Sequence, residues 1–213
     1  MRLQDPLATI TPTVDGDVLT RLARIDTALS LPQLSRLIPG RSYHGVRNAV
    51  ARLVEQGIVS ELGSGRTRLY QLNRNHLAAE AIISIADSAR VLGQRILDLV
   101  SVWRIAPSFV ALFGSAARGE MRDESDIDLL LTRASDGDES TWSIQLDGLI
   151  HSIELWTGND AEIVDYLDNE IAEQAATLPL LAEIERDATF IVGTRHEFRR
   201  LMGLPWSRVT EAK

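Results

Sequence analysis

The chain contains no cysteine. Disulfides, thiolate metal sites and thiol catalysis are therefore excluded, and the absence fits a reducing compartment. No stretch approaches the ~20 consecutive apolar residues that span a bilayer. The opening Met1-Arg2-Leu3-Gln4-Asp5-Pro6 meets an acid and a proline before any apolar core develops, so no secretory leader is expected. The expectation is a cytoplasmic protein with no membrane partner. Internal repeats and low-complexity tracts are missing too. The four histidines, His44, His76, His151 and His196, are scattered and share no metal-ligand spacing.

What is present suits one or two small globular domains: 213 residues, of which an ordinary 45% are hydrophobic. The net charge of −8 is unevenly spread. Residues 1–75 carry ten arginines against six acids, a surplus of four positive charges, and the remainder carries an acidic surplus of twelve. A mildly basic front and a strongly acidic back suggest two modules with different partners, although an acidic surface also simply aids solubility.

Residues 1–15 lack clear periodicity and contain Pro6 and Pro12, so they read as a flexible arm. Val18, Leu19, Leu22 and Ile25 then fall at helical spacing, and Thr27-Ala28-Leu29 is short and extended. Ser30 is placed to cap a helix running to Ile38, with Leu34, Leu37 and Ile38 inward. After the turn Pro39-Gly40-Arg41, Ser42 caps a second helix whose inner stripe is Val46, Val50, Leu53 and Val54. Gly57 suits the left-handed position that ends it. Residues 58–62, the turn Gly63-Ser64-Gly65 and residues 66–72 read as a β-hairpin.

Helix, short strand, helix, turn, helix and hairpin resembles the winged helix-turn-helix. The cues are Arg52-Leu53-Val54-Glu55-Gln56-Gly57-Ile58-Val59 and Gly65-Arg66-Thr67-Arg68-Leu69-Tyr70. The resemblance implies a recognition helix over residues 42–56 and a wing after it. Ser42, Tyr43, His44, Arg47 and Asn48 would face DNA, Arg and Asn being suited to guanine and adenine edges. Arg41 in the turn, with Arg66 and Arg68 on the wing, would reach phosphates. Many winged helices instead serve protein contacts or dimerisation, and that alternative stays open.

Residues 74–104 read as one long connecting helix, with Leu77, Ala81, Ile85, Ala89, Leu92, Ile96 and Leu99 on a face; packing in a homodimer through it stays open. Strands and helices then alternate. Ser108–Phe113 and Asp126–Leu131 are apolar strands, and residues 141–156 are helical with Trp142, Leu146, Leu149 and Ile153 spaced for burial. Gly158-Asn159 makes a turn, Asp160–Asp165 is a short strand, 166–176 and 179–187 are helices, 189–192 is a fourth strand, and 195–202 is a last helix. Tryptophans 103, 142, 156 and 206 read as core or boundary residues.

The chemistry concentrates in Leu112-Phe113-Gly114-Ser115-Ala116-Ala117-Arg118-Gly119-Glu120 and Ser125-Asp126-Ile127-Asp128-Leu129-Leu130-Leu131. Strand side chains alternate faces, so Asp126 and Asp128 point the same way, roughly 7 Å apart at Cα. Two ionised carboxylates in an apolar strand repel each other and are costly to desolvate. A divalent cation relieves both costs, and Mg²⁺ (or Mn²⁺) suits one or two carboxylates plus phosphate oxygens. Gly114-Ser115 follows the first strand and opens a helix, where free N–H groups and the Ser115 hydroxyl can cradle phosphate.

Glycine-serine, a ten-residue spacer and Asp126-Ile127-Asp128 resembles the DNA polymerase β superfamily of nucleotidyltransferases, in its minimal bacterial branch, over residues 105–200. The resemblance implies nucleotide contacts from Gly114, Ser115, Arg118 and Ser125; Arg118 is equally placed to pair with Glu120 or Glu124. It also implies a third carboxylate on a neighbouring strand as metal ligand and base. Among Asp160, Glu162 and Asp165, the Glu162-Ile163-Val164 context fits, although the family usually has aspartate there.

The expected fold is α+β: a flexible arm (1–15), a winged helix-turn-helix (16–73), a connecting helix (74–104), an α/β nucleotidyltransferase domain with a small mixed sheet (105–203), and a tail (204–213). The expected function is two-metal transfer of a nucleoside monophosphate from a nucleoside triphosphate, ATP first, to a hydroxyl of a protein or RNA. Catalytic and metal-binding roles fall to Asp126, Asp128 and Glu162. The minimal branch implies a toxin–antitoxin setting, with a cognate toxin or antitoxin protein, or transfer RNA, as acceptor. The alternative is a DNA-binding regulator whose second domain senses nucleotide or a partner without catalysis.

Overall fold

The computed structural model describes residues 1–64, 67–134, 137–175 and 177–204. The chain divides into two compact units, Met1–Arg90 and Val91–Lys213. Both mix helix with a small sheet, giving an α+β protein.

The first unit opens with a short 3-10 helix, Pro6–Thr9, and α1, Val14–Arg24. The expected flexible arm is packed instead. Leu3 and Leu7 are buried, and the Arg24 guanidinium donates to the carbonyls of Leu3 (3.1 Å), Gln4 (2.8 Å) and Ala86 (2.7 Å). A Cβ on Gly16 would meet the Thr11 carbonyl at 2.5 Å, so the segment runs tight against α1. Two buried leucines in a short segment set no period, which is why sequence pattern alone misses the packing.

β1 (Leu29–Ser30) leads into α2 (Leu31–Arg36), where the Ser30 N–H donates to Gln33 Oε1 at 2.9 Å in a capping box. Leu34 and Ile38 are buried, whereas Leu37, expected inward, is exposed; α2 ends at Arg36, so Leu37 is its C-cap and Ile38 lies beyond the helix. α3 spans Tyr43–Glu55, and Ser42 Oγ accepts the Gly45 N–H at 3.1 Å as its N-cap. Val46, Ala49, Val50 and Leu53 are buried, and Gly57 at φ +73° turns the chain out of the helix.

β2 (Val59–Ser64) and β3 (Thr67–Leu72) pair antiparallel, and β1 adds to β3, giving the order β1-β3-β2. Gly63 and Ser64, expected in the turn, are the last residues of β2, opposite Arg68 and Thr67. Gly65 and Arg66 lie outside the described residues.

The single helix expected over 74–104 is two: α4 (Ala79–Ala86) and α5 (Ser88–Ser101), with the boundary between units inside α5. Ala79, Ile82 and Ala86 are buried on α4, and Leu77 is fully exposed. The break at Asp87 resets the helical phase, so a face extrapolated back from Leu92 and Ile96 misses α4. Ile82, Ile83 and Ile85 are all apolar and gave no local signal to choose between faces.

The second unit is built on β4 (Phe109–Leu112), β5 (Ile127–Arg133), β6 (Ala161–Leu167) and β7 (Thr189–Val192) in the order β6-β5-β4-β7. β5 and β6 are parallel; β4 is antiparallel to β5 and β7. One face packs on α8 (Asp168–Gln174), α9 (Pro179–Asp187) and α10 (Arg195–Leu201), through a core including Phe109, Leu130, Ile171, Ile184 and Phe198. The other meets α7 (Glu139–Thr157), whose Trp142 indole N–H donates to Asp165 at 2.9 Å. Trp142, Leu149 and Ile153 are buried and Leu146 is only half-buried. Residues 205–213, including Trp206 and most of the expected tail, lie outside the described residues.

Candidate active site

β4 is short and buried throughout, and its end delivers the chain to Phe113 and the one-turn helix α6, Gly114–Arg118. The Phe113 N–H donates to the Asp128 carbonyl at 3.0 Å, which fixes the start of α6 against β5. Gly114 has φ +64°, and a Cβ there would lie 2.9 Å from Asp128 Cγ and collide with its carboxylate oxygen. The residue is glycine for two reasons at once: a left-handed backbone and the closeness of the carboxylate. A five-residue helix has little macrodipole, so any anion affinity comes from the unpaired N–H groups of its first turn.

Asp128 lies on β5, and Asp126 sits one residue before the strand begins. In the parallel β5–β6 pair, Asp128 is directly opposite Glu162. Residues opposite one another share a face of the sheet, so the two carboxylates emerge side by side. Burial, then the charges of Glu162 and Asp126, push the Asp128 carboxyl above its usual range, and Arg118 acts in the opposite direction. Glu162, Asp126 and Arg118 therefore each lie within electrostatic reach of Asp128. The other acid of β6, Asp165, faces away and accepts from Trp142; Asp160 sits one residue before the strand, where its backbone carbonyl accepts the Ile127 N–H at 2.9 Å.

Among the described residues, no three His, Cys, Asp or Glu side chains form a metal-holding group by themselves. Asp126, Asp128 and Glu162 are thus not a preformed cage. Their chemistry still fits a divalent cation that completes its shell elsewhere, since the half-buried Asp128 carries an unbalanced negative surrounding.

The remaining expected site residues divide. Ser115 is half-buried in the first turn of α6. Arg118 pairs with Glu120 at 3.1 Å in an exposed contact, worth little and readily exchanged. The Ser125 hydroxyl accepts the Arg122 N–H at 2.8 Å, which makes it a brace of the loop before Asp126. Asn159, buried and read from sequence only as half of a turn, donates to the Ser125 carbonyl at 2.8 Å and ties that loop to the start of β6. No spacing rule in the sequence exposes such a link, because 34 residues separate the partners.

In the first unit, Tyr43, His44, Arg47 and Asn48 form an exposed stripe on α3. Ser42 is occupied as a cap, and Arg41 is bound to the buried Asp17 at 2.7 Å, so it braces the α2–α3 turn. Arg68 pairs with Glu61 at 3.0 Å.

Residues 102–189 match the family model described as polymerase beta, nucleotidyltransferase. No curated protein matches the chain in sequence. Solved structures similar to parts of it include a toxin–antitoxin complex with AMP-PNP (19% identity over 51% of this chain and 79% of that one, TM-score 0.38). Another is the tri-AMPylated Shewanella oneidensis HEPN toxin with MNT antitoxin (18% identity, 54% and 84% covered, TM-score 0.36). A third is TrmBL2, an archaeal chromatin protein described with a novel mode of DNA binding (12% identity, 77% and 68% covered, TM-score 0.27). None of these scores reaches the level of a shared fold. No helix among the described residues is long and apolar enough to cross a membrane. The family match and the carboxylate site fall on the same stretch, so the second unit carries a nucleotidyltransferase domain and the chain is a transferase.

Proposed function

We propose that this chain transfers a nucleoside monophosphate from a nucleoside triphosphate to a hydroxyl group of a protein or RNA, with ATP the first donor to test. The observation that carries the reading is the register of Asp128 against Glu162, with the Gly114 backbone pressed on the Asp128 carboxylate. Acids brought together at a cost in repulsion, beside a turn that leaves backbone N–H groups open, form a cradle for a polyphosphate.

Asp126 and Asp128 would hold Mg²⁺ or Mn²⁺, with Glu162 beside them. When bound, the ion neutralises phosphate charge and lowers the pKa of an oxygen ligand. The Gly114-Ser115 turn receives phosphate oxygens on its N–H groups, and Arg118 exchanges Glu120 for phosphate. Glu162, exposed at the mouth of the site, accepts the proton of the incoming hydroxyl. The hydroxyl oxygen bonds to the α-phosphorus as the bond to the pyrophosphate oxygen breaks. The Ser125 brace and Asn159 keep Asp126 in position throughout.

A second role belongs to the first unit. The element order and the β1-β3-β2 sheet support a winged helix-turn-helix reading, and the exposed α3 stripe supports DNA contact through His44, Arg47 and Asn48. A regulator that binds DNA and nucleotide without catalysis is the competing function. The resemblance to the minimal branch suggests a toxin–antitoxin setting, with a partner protein or transfer RNA as acceptor.

Incubation with α-³²P-labelled ATP, Mg²⁺ and candidate acceptors separates these readings. Label transfer by the wild type, lost in Asp126→Asn/Asp128→Asn, is the expected result. Binding of ATP without transfer to any protein or RNA acceptor favours the regulator.

A further inference from the structure

A cavity of about 390 Å³ lies in the first unit between α3 and the β2–β3 hairpin. Its floor is apolar, made by Leu31, Val50, Ala51 and Val54. Its rim is charged: Arg47 from α3, with Arg68 and Glu61 from the hairpin. Arg68 is already held by Glu61 at 3.0 Å, whereas Arg47 forms no ion pair among the described residues. Two guanidiniums against one carboxylate leave a single surplus positive charge. Tyr70 closes the inner wall. Burial, then Glu61, raises its phenol above the usual range, so it stays a neutral O–H donor.

We propose that this cavity binds a small amphipathic carboxylate, its chain on the α3 floor and its head group on Arg47 and Arg68. The size lies within the range of small-molecule sites, and such sites pair an apolar lining with a few orienting polar groups. A planar carboxylate matches the fork of a guanidinium. One negative charge balances the surplus, whereas a phosphate monoester brings two and meets Glu61. An uncharged or cationic amphiphile leaves Arg47 unsatisfied.

The site has a consequence that rests on the DNA reading of α3. Among the described residues around this cavity, Arg47 is the guanidinium without an ion pair, and Arg68 reaches a phosphate only by exchanging Glu61, so a carboxylate bound to both withdraws them from nucleic acid. Occupancy would then weaken DNA binding.

Calorimetric titration of the full chain with octanoate, benzoate, 1-octanol and octylamine tests the site. Saturable one-to-one binding of octanoate or benzoate is expected, at least tenfold tighter than octanol, with octylamine excluded. Arg47→Ala, an exposed position on α3, is expected to weaken the carboxylate at least tenfold with unchanged circular dichroism, and Arg47→Lys to restore part of it. No saturable carboxylate binding, equal affinity for octanol, or indifference to Arg47→Ala overturns the proposal. Duplex DNA binding measured with and without octanoate separates the two readings. Carboxylate binding without any DNA binding leaves the site standing and removes the nucleic-acid reading. DNA binding unaffected by saturating octanoate overturns the competition alone.

Discussion

Gly114 and Asp128 constrain each other. The glycine has a positive φ and its α-carbon sits against the carboxylate, so Gly114→Ala strains the backbone and pushes Asp128 aside. The expected cost is ~1–3 kcal/mol of stability, read by chemical denaturation, together with loss of nearly all transfer activity. Asp128 itself shows how a site can oppose stability. Its carboxyl is raised in the fold by burial and by Glu162 and Asp126, so the folded protein holds the proton to higher pH than the unfolded chain does. Stability therefore falls as pH rises from the ordinary carboxylate range through the raised value, and stays lower above it. Asp128→Asn removes that penalty. The variant is expected to melt a few degrees higher than the metal-free wild type at neutral pH, to match it at acid pH below both values, and to be inactive. A variant that melts lower at neutral pH contradicts the electrostatic reading. With Mg²⁺ and a triphosphate the order reverses, because ligand stabilises only the protein that binds it.

At the scale of elements, the strand carrying Asp128 was legible because Ile-Asp-Leu-Leu-Leu has no cheap structural use for its acid. Register was not legible: that Glu162 and not Asp160 stands beside Asp128 depends on how β6 slides along β5, and a two-residue slide keeps every side chain on its own face of the sheet. The Asn159 link was hidden for a related reason, being a contact between two loops with no period of their own. Asn159→Ala is expected to lower the rate of transfer about tenfold while costing ~1–2 kcal/mol of stability, since the loop bearing Asp126 loses its tie. Unchanged kinetics would show that the loop holds itself. The helices of the first unit were readable from caps such as Ser42 and Gly57, but the break at Asp87 and the packed segment before α1 were not. Arg24 gathers two carbonyls of that segment, beside the Arg21–Asp5 pair and the buried Leu3 and Leu7, and Arg24→Ala is expected to speed proteolytic cleavage within residues 1–12 several-fold.

Across the whole molecule, the basic surplus of the first 75 residues overstates what is free to meet an anion. Arg21, Arg41, Arg52, Arg68 and Arg74 are each paired with a carboxylate of the same unit. DNA binding, where measured by fluorescence anisotropy, is expected to depend only moderately on salt. The slope of log affinity against log salt is expected to be no steeper than about −3. A much steeper slope would mean that those pairs open on the nucleic acid. The second unit is acidic and concentrates three carboxylates at one end of its sheet, an arrangement with a clear use only when cations and polyphosphate arrive together. Calorimetric titration of a non-hydrolysable ATP analogue with Mg²⁺ measures that directly. Saturable binding by the wild type, at least a hundredfold weaker in Asp126→Asn/Asp128→Asn and dependent on Mg²⁺, is the expected result. Equal affinity in the variant, or binding indifferent to Mg²⁺, would contradict it.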